Sequence, residues 1–162
     1  MKRRMFAVAL AAGAVGFVAG NAFWYLASPL WIDRLVSEEL PAELQVRMAA
    51  KGEFHDADSA HKGKGLATVF ETAAGARVLR FTGFEATNGP DLEVWLVKAS
   101  GLKVSADVTA SQWLSLGPLK GNIGDQNYVI PADANIDDYN SVVIWCKQFS
   151  VLFSAADLAP AS

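Results

Sequence analysis

The chain has 162 residues, of which 52% are hydrophobic and 19% charged, a size and composition that suit one globular domain and one additional segment. Its formal net charge is −3, and acidic residues outnumber basic ones beyond residue 50, so the basic surface required for binding nucleic acid is missing. Cys146 is the one cysteine in the sequence, which excludes an internal disulfide.

The first element is an apolar N-terminal stretch. Residues 5–26 contain no charged side chain, and about 20 apolar residues suffice to cross a bilayer as a helix. Lys2, Arg3 and Arg4 precede the stretch and predict a cytoplasmic N-terminus with the remaining chain on the opposite side. We therefore predict a single-pass cell-membrane anchor over residues 1–32, followed by a periplasmic or extracellular domain.

A secretory signal peptide begins in a similar way, and it is the alternative for this stretch. The apolar run is long for such a peptide, the cleavage site Gly20-Asn21-Ala22 is poor, and large aromatic residues follow it. These features favour an uncleaved anchor. Both alternatives place the domain outside the cytoplasm.

Residues 33–50 separate the anchor from the domain. They are rich in Glu, Leu and Ala and are interrupted by Pro41, which predicts two short helical turns that form a stalk. At the other end of the chain, residues 159–162 are expected to be a frayed tail.

From residue 51 the sequence changes to short apolar runs separated by Gly, Asn, Asp and Pro, a pattern typical of β-strands and turns. It predicts an all-β domain over residues 51–158, folded as an antiparallel β-sandwich. The predicted strands are 52–55, 66–72, 77–84, 92–98, 113–116, 128–130, 141–147 and 149–153.

Alternation along one of these strands predicts where Cys146 points. Cys146 falls on the same side as Val142 and Ile144, whereas Trp145 and Lys147 fall on the opposite side. We therefore expect the thiol to lie in the core among aliphatic side chains.

Residues 116–126 contain three glycines and are predicted to form a long ordered loop, a kind of segment that often carries function. Together with Trp113, this loop supplies the candidate binding residues Lys120, Asn122 and Asp125. The oxygens of Asn122, Asp125 and Asn127 also suit calcium, although the pattern of a dedicated calcium loop is missing.

Asp91 is a further binding candidate, at the end of the turn Asn88-Gly89-Pro90-Asp91. An acidic residue at such a position also caps the turn through its carboxylate, so a structural role is the alternative.

Three stretches together resemble the DM13 domain family, which occurs in membrane-tethered bacterial proteins and beside DOMON domains in animal extracellular proteins. They are HKGKG at 61–65, FEATNGPDLEVWL at 84–96, and the region 116–158 with LGPLKGNIGDQNYVIP and VVIWCKQFSVLFSAADL. The resemblance implies a DOMON-like sandwich of the jelly-roll type. It also implies an electron-transfer or redox role centred on one cysteine, which corresponds to Cys146.

The chemistry of Cys146 has several interpretations. Cys146 and His61 are candidate cofactor ligands, and a cysteine with two histidines, here His55 and His61, can bind copper. Haem and copper are both candidate cofactors, but the sequence contains no complete ligand set for either. The apolar neighbours of Cys146 favour the simpler interpretation of a small buried core residue.

Motifs of hydrolases and transferases are missing: the sequence has no G-x-S-x-G, no H-E-x-x-H and no phosphate loop. One hypothesis is therefore a membrane-anchored extracytoplasmic domain with a redox or electron-transfer role at Cys146 and a redox partner outside the cytoplasm. The alternative is a non-catalytic module for binding or assembly, in which Cys146 is a core residue.

Overall fold

The computed structural model describes residues 2–28, 31–40 and 46–161, and the chain divides into two compact units, residues 1–32 and residues 33–162. The first unit contains the helix α1, Lys2–Ala27. Residues 2–25 of this helix are long and apolar enough to cross a membrane, with a mean hydropathy of 1.8. A signal sequence near an N-terminus has the same properties.

The second unit is predominantly β-structure. Its described strands are β1 (Leu35–Ser37), β2 (Val46–Asp56), β3 (Gly63–Thr72), β4 (Arg77–Ala86), β5 (Leu92–Val97), β6 (Trp113–Pro118), β7 (Ile123–Ile130), β8 (Ser141–Cys146), β9 (Val151–Asp157) and β10 (Ala159–Pro160). A short helix, α2, spans Ser105–Thr109, and a single 3-10 turn spans Ile136–Asp138.

The strands form one curled sheet in the order β1-β7-β4-β3-β2-β9-β8-β5-β6, with β10 beside β2. Neighbouring strands are antiparallel, except for β1 and β7, which are parallel. The long strand β2 joins the two halves of the sheet, because residues 46–53 pair with β3 and residues 54–56 pair with β9.

Gly52 lies just before this change of partner. A Cβ at this position would lie 2.2 Å from the carbonyl oxygen of Asp157, so glycine allows β2 and the end of β9 to approach closely. The sheet folds over at β2, and side chains from both halves share one apolar core. The all-β sandwich prediction is confirmed, with the refinement that the two layers are halves of one continuous sheet.

Aromatic side chains occupy the centre of that core. Phe54 contacts Phe81 and Phe84 edge-on, with ring centroids 4.9 and 5.1 Å apart, an arrangement that aromatic rings prefer. Phe54 comes from the strand shared by the two halves, whereas Phe81 and Phe84 come from β4. The rings therefore pack the folded strand against the opposite layer.

A second apolar cluster covers the outer face of β5, β8 and β9. It contains Trp95 and Trp145, and Leu102 and Val108 from the segment between β5 and β6 pack onto it. Strand β5 is thus buried on both faces and lies between β8 and β6, which agrees with the apolar character of both of its sides.

The predicted helical stalk differs from the observed structure. Residues 35–37 form β1 and pair with residues 123–125 of β7, and residues 46–50 belong to β2. Pro41 lies outside the described residues. Two glycines allow the β1 segment to lie this close to β7. A Cβ at Gly124 would lie 2.0 Å from the carbonyl oxygen of Val36, and one at Gly121 would lie 2.3 Å from that of Arg34.

Two other expectations also differ from the structure. The segment predicted as a long loop over residues 116–126 consists mostly of strand, because β6 ends at Pro118 and β7 begins at Ile123. Ala159 and Pro160, expected in a frayed tail, pair with Lys51 and Ala50 of β2.

Candidate functional site

Cys146 is the last residue of β8 and is fully buried. Its Sγ lies 3.1 Å from the carbonyl oxygen of Pro90, so the thiol donates a weak hydrogen bond to that oxygen. The residue shares the main core with Val142 and Ile144, as the alternation of the strand predicts. The thiol therefore lies on the inner face of the folded sheet.

The loop of residues 87–91 joins β4 to β5 and lies against this thiol, and the prediction of a turn here is confirmed. Asp91 has a positive φ of 51°, and its carbonyl oxygen accepts the N–H of Lys147 at 3.0 Å. Gly89 packs so closely on Phe153 that a Cβ would lie 2.6 Å from the ring. The candidate Asp91 thus contributes backbone geometry to the loop beside Cys146.

His61 lies in the connection between β2 and β3. Its Nδ1 is 2.8 Å from Oδ2 of Asp58, whose carboxylate also accepts the N–H groups of Ala60 and His61. The hydrogen bond from the His61 ring, followed by those backbone N–H groups, lowers the pKa of Asp58 to about 2. The imidazole also packs on Phe153, with ring centroids 4.4 Å apart.

Each side chain considered as a copper or haem ligand makes a contact of its own. Cys146 bonds to Pro90 and His61 to Asp58, while Nδ1 of the exposed His55 is 3.1 Å from the carbonyl oxygen of Asp56. Across residues 2–28, 31–40 and 46–161, no three His, Cys, Asp or Glu side chains form a group that could hold a metal ion. The described residues therefore form no copper centre of the type with two histidines and one cysteine.

Lys120 and Asn122, two candidates from the predicted loop, contact the segment that contains β1. Nζ of Lys120 lies 2.8 and 2.9 Å from the carboxylate oxygens of Glu38, and this contact is the main cause that lowers the pKa of Glu38. The buried Asn122 accepts the N–H of Arg34 at 2.7 Å and donates to Asp33 at 2.9 Å. Both side chains thus bind the chain's own β1 segment.

Asp125, the remaining candidate in this region, forms an ion pair with Arg80. Nη2 of Arg80 lies 2.6 Å from Oδ2 of Asp125, and Nη1 lies 2.9 Å from Oδ1 of Asn127. The guanidinium thus occupies the oxygens considered for calcium, and the side-chain oxygen of Asn122 accepts a backbone N–H. These contacts argue against the calcium site.

Trp113 begins β6 and keeps 49% of its surface exposed. Its indole stacks on that of Trp95, with centroids 3.9 Å apart and planes 11° from parallel. Trp95 also stacks on Trp145, with centroids 5.1 Å apart and an angle of 29°. We call Trp113, Trp95 and Trp145 the tryptophan stack, and it extends from the surface to two buried rings.

Glu93 binds the middle ring of the tryptophan stack. Its Oε2 accepts Nε1–H of Trp95 at 2.8 Å and the hydroxyl of Ser115 at 2.9 Å, and its Oε1 accepts Nζ of Lys147 at 3.1 Å. Burial raises the pKa of Glu93, but the hydrogen bonds from Trp95, Ser115 and Lys147 together lower it below its usual range. The carboxylate is therefore ionised at neutral pH.

Sequence reasoning did not identify this group, although part of the signal was present. Alternation places Glu93 beside Trp95 on one strand, and Trp145 beside Lys147 on another. The missing information is the strand register, which sets Glu93 opposite Trp145 across β5 and β8. The residues of the Glu-x-Trp and Trp-x-Lys patterns come together only because β5 and β8 pair in this register.

A family model described as "Electron transfer DM13" matches residues 53–158. The chain belongs to the DM13 family. The match covers well over half of the chain and includes both Cys146 and the tryptophan stack, whereas β1 and the first part of β2 precede it. No curated protein and no solved structure matches the chain.

Proposed function

We propose that this DM13 protein is an electron-transfer domain held by α1 at the outer face of a cell membrane. The observation that carries the proposal is the match of residues 53–158 to a family described by electron transfer. The length and apolar composition of α1 support the anchor, and the basic residues 2–4 favour a cytoplasmic N-terminus. The redox partner would then lie outside the cytoplasm.

The thiol of Cys146 is the proposed reactive group. Its sulfur lies against the loop of residues 87–91 and bonds to the carbonyl of Pro90, so an outward movement of this loop would give a partner access. In the exchange, the Cys146 thiolate attacks one sulfur of a partner disulfide, and the S–S bond breaks. A mixed disulfide forms, the second sulfur leaves as a thiolate, and the Cys146 proton passes to water.

The burial of Cys146 supports a second candidate function. A cysteine enclosed by apolar side chains behaves as a small hydrophobic residue, and reactive thiols need access and a stabilised thiolate. In this alternative the domain binds a ligand or a protein, or assembles with one, without chemistry at the thiol.

The two functions differ in how a disulfide reagent reaches Cys146. The full chain in detergent would be treated with a small aromatic disulfide, and mixed-disulfide formation would be timed in the wild type and in Gly89→Ala. The added methyl group would clash with Phe153 and displace the loop beside the thiol. A reactive, loop-gated thiol predicts exchange that is several-fold faster in Gly89→Ala than in the wild type.

Gly75→Ala is the matched control, because Gly75 has a positive φ of 80° in the turn between β3 and β4. It lowers global stability without touching the loop beside Cys146. If exchange in all three proteins simply follows global unfolding, the thiol is a core residue and the redox assignment to Cys146 is wrong.

The membrane orientation has a separate test. A protease added to intact spheroplasts of cells that make the full chain should cut the domain and leave a cytoplasmic marker protein intact. Cleavage that occurs only after the membrane is permeabilised would contradict an extracytoplasmic domain.

A further inference from the structure

Three of the five tryptophans of the chain belong to the tryptophan stack. The rings lead from the half-exposed Trp113 to the buried Trp95 and Trp145. Electron exchange between aromatic rings falls steeply with separation, so rings in van der Waals contact exchange an electron readily. The stack therefore connects the solvent to the interior without any movement of the chain.

The hydrogen bond between Trp95 and Glu93 adds a proton acceptor to this connection. Loss of one electron makes the indole N–H much more acidic, and a base within about 2.6–3.2 Å can then take its proton. Oε2 of Glu93 is 2.8 Å from Nε1 of Trp95. Ser115 and Lys147 bind the same carboxylate and hold it in position.

The three rings differ in whether their indole N–H contacts a proton acceptor. Within the described part of the chain, Trp95 is the member of the stack whose indole N–H bonds to a carboxylate. Trp113 has the exposed ring face, and Trp145 is buried behind Trp95. A radical formed anywhere in the stack would therefore be most stable as the neutral, deprotonated form on Trp95.

We propose that Trp113, Trp95 and Glu93 form a proton-coupled electron relay that opens at the surface of the domain. A strong one-electron oxidant at Trp113 takes up one electron, and Trp95 supplies that electron through Trp113. The Nε1 proton of Trp95 moves to Glu93, which leaves a neutral indolyl radical and a protonated carboxyl group. Reduction returns the electron to Trp95 and the proton to its nitrogen.

This inference rests on the electron-transfer function proposed above, but it does not require Cys146. The thiol lies on the inner face of β8, whereas Trp145, the preceding residue, belongs to the outer cluster. The relay and the thiol are therefore separate routes, and experiments can distinguish them.

The test uses the full chain in detergent with Trp24→Phe and Trp31→Phe, which removes the two tryptophans of the first unit. A photogenerated ruthenium(III) polypyridine complex is the oxidant, and transient absorption distinguishes the neutral indolyl radical from its cation. We expect the neutral radical in this background. Trp113→Phe should slow its formation several-fold, and Glu93→Gln should replace the neutral form by the cation.

Glu85→Gln is the matched control for Glu93→Gln, because the exposed Glu85 pairs with Lys64 away from the tryptophan stack, and it should leave the radical unchanged. Circular dichroism checks that each variant is folded. Unchanged rate and radical form in both Trp113→Phe and Glu93→Gln would show that the stack only packs, and would overturn the proposal.

Cys146→Ala, in the same background, separates the two routes. The relay predicts the same neutral radical without the thiol, whatever the disulfide-exchange experiment shows for Cys146. If Cys146→Ala abolishes the indolyl radical signal, oxidation depends on the thiol, and the relay is wrong.

Discussion

The two faces of the strand pair β5 and β8 offer different conditions to a redox-active side chain. On the inner face, Cys146 is enclosed by the core and bonds to a backbone carbonyl. On the outer face, Trp95 bonds to an ionised carboxylate and stacks on the half-exposed Trp113. The inner group needs a movement before it can react, whereas the outer group is already connected to solvent. A family description of electron transfer therefore does not by itself select the cysteine.

The largest effect is expected from a substitution that tests how closely the inner face is packed. Ile144→Ala, on the same face of β8 as Cys146, should lower the free energy of unfolding by about 2–5 kcal/mol, because truncating a fully buried side chain leaves a cavity. Denaturant titration followed by tryptophan fluorescence measures this change. Val129→Ala, at a residue that is 77% exposed, is the control and should change stability by no more than about 0.5 kcal/mol. Equal effects of the two substitutions would contradict a sealed inner face.

The next effect concerns the carboxylate on the outer face. Glu93→Gln should lower the free energy of unfolding by about 1–2 kcal/mol at neutral pH, because hydrogen bonds to a partly buried charged group are lost. The pKa of Glu93 is lowered in the folded protein from its usual 4.5, so its stabilisation is present above that value. It disappears as the pH falls through the folded pKa. The stability difference between wild type and variant should therefore shrink below pH 4.5, and a difference that grows there would contradict the ionised carboxylate.

A smaller effect is expected at the thiol itself. Cys146→Ala should cost about 1 kcal/mol, because the sulfur is a small apolar group and its hydrogen bond is weak. Cys146→Ser should cost a similar amount, since its hydroxyl can donate to Pro90 in place of the thiol. Thermal melts of the two variants check this pair. A loss well above about 3 kcal/mol for serine alone would show that the hydroxyl finds no acceptor.

The smallest effect on stability is expected at the exposed end of the outer face. Trp113→Phe keeps an aromatic ring at a half-exposed position and should cost no more than about 1 kcal/mol. The circular dichroism signal that arises from the coupled indoles of the stack should nevertheless weaken, because Trp95 loses the ring at 3.9 Å and keeps its contact with Trp145 at 5.1 Å. The measurement uses the background with Trp24→Phe and Trp31→Phe, because these two indoles form a pair of their own, with centroids 6.1 Å apart. A signal that Trp113→Phe leaves unchanged in this background would contradict its origin in the stack.

Local patterns were enough to predict much of the fold. The alternation around Cys146 predicted its inner face, and turn residues predicted the loop over residues 88–91. These features depend on neighbours in the sequence, where strand period and turn chemistry are specified. The all-β class followed from the same local information.

Features that depend on distant partners were not predictable in this way. The segment around Glu38 has the composition of a helix, but its partner Lys120 lies far along the chain, and the pairing of β1 with β7 overrides local propensity. Lys120, Asn122 and Asp125 looked like residues of an open loop, because nothing local indicates that they bind Glu38, Asp33 and Arg80. The contacts of Glu93 with Ser115 and Lys147 likewise needed the paired structure.

The pairing of β1 with β7 also affects how a shortened fragment of the domain would behave. The family-matched region, residues 53–158, excludes β1, and a fragment with these ends would leave the backbone groups of β7 near Gly124 without their partner strand. The glycines that admit Val36 so closely would admit the strand of another molecule just as well. Exposed edges of this kind promote association between chains. We therefore expect such a fragment to aggregate edge to edge, whereas the full chain covers this edge with its own residues 35–37.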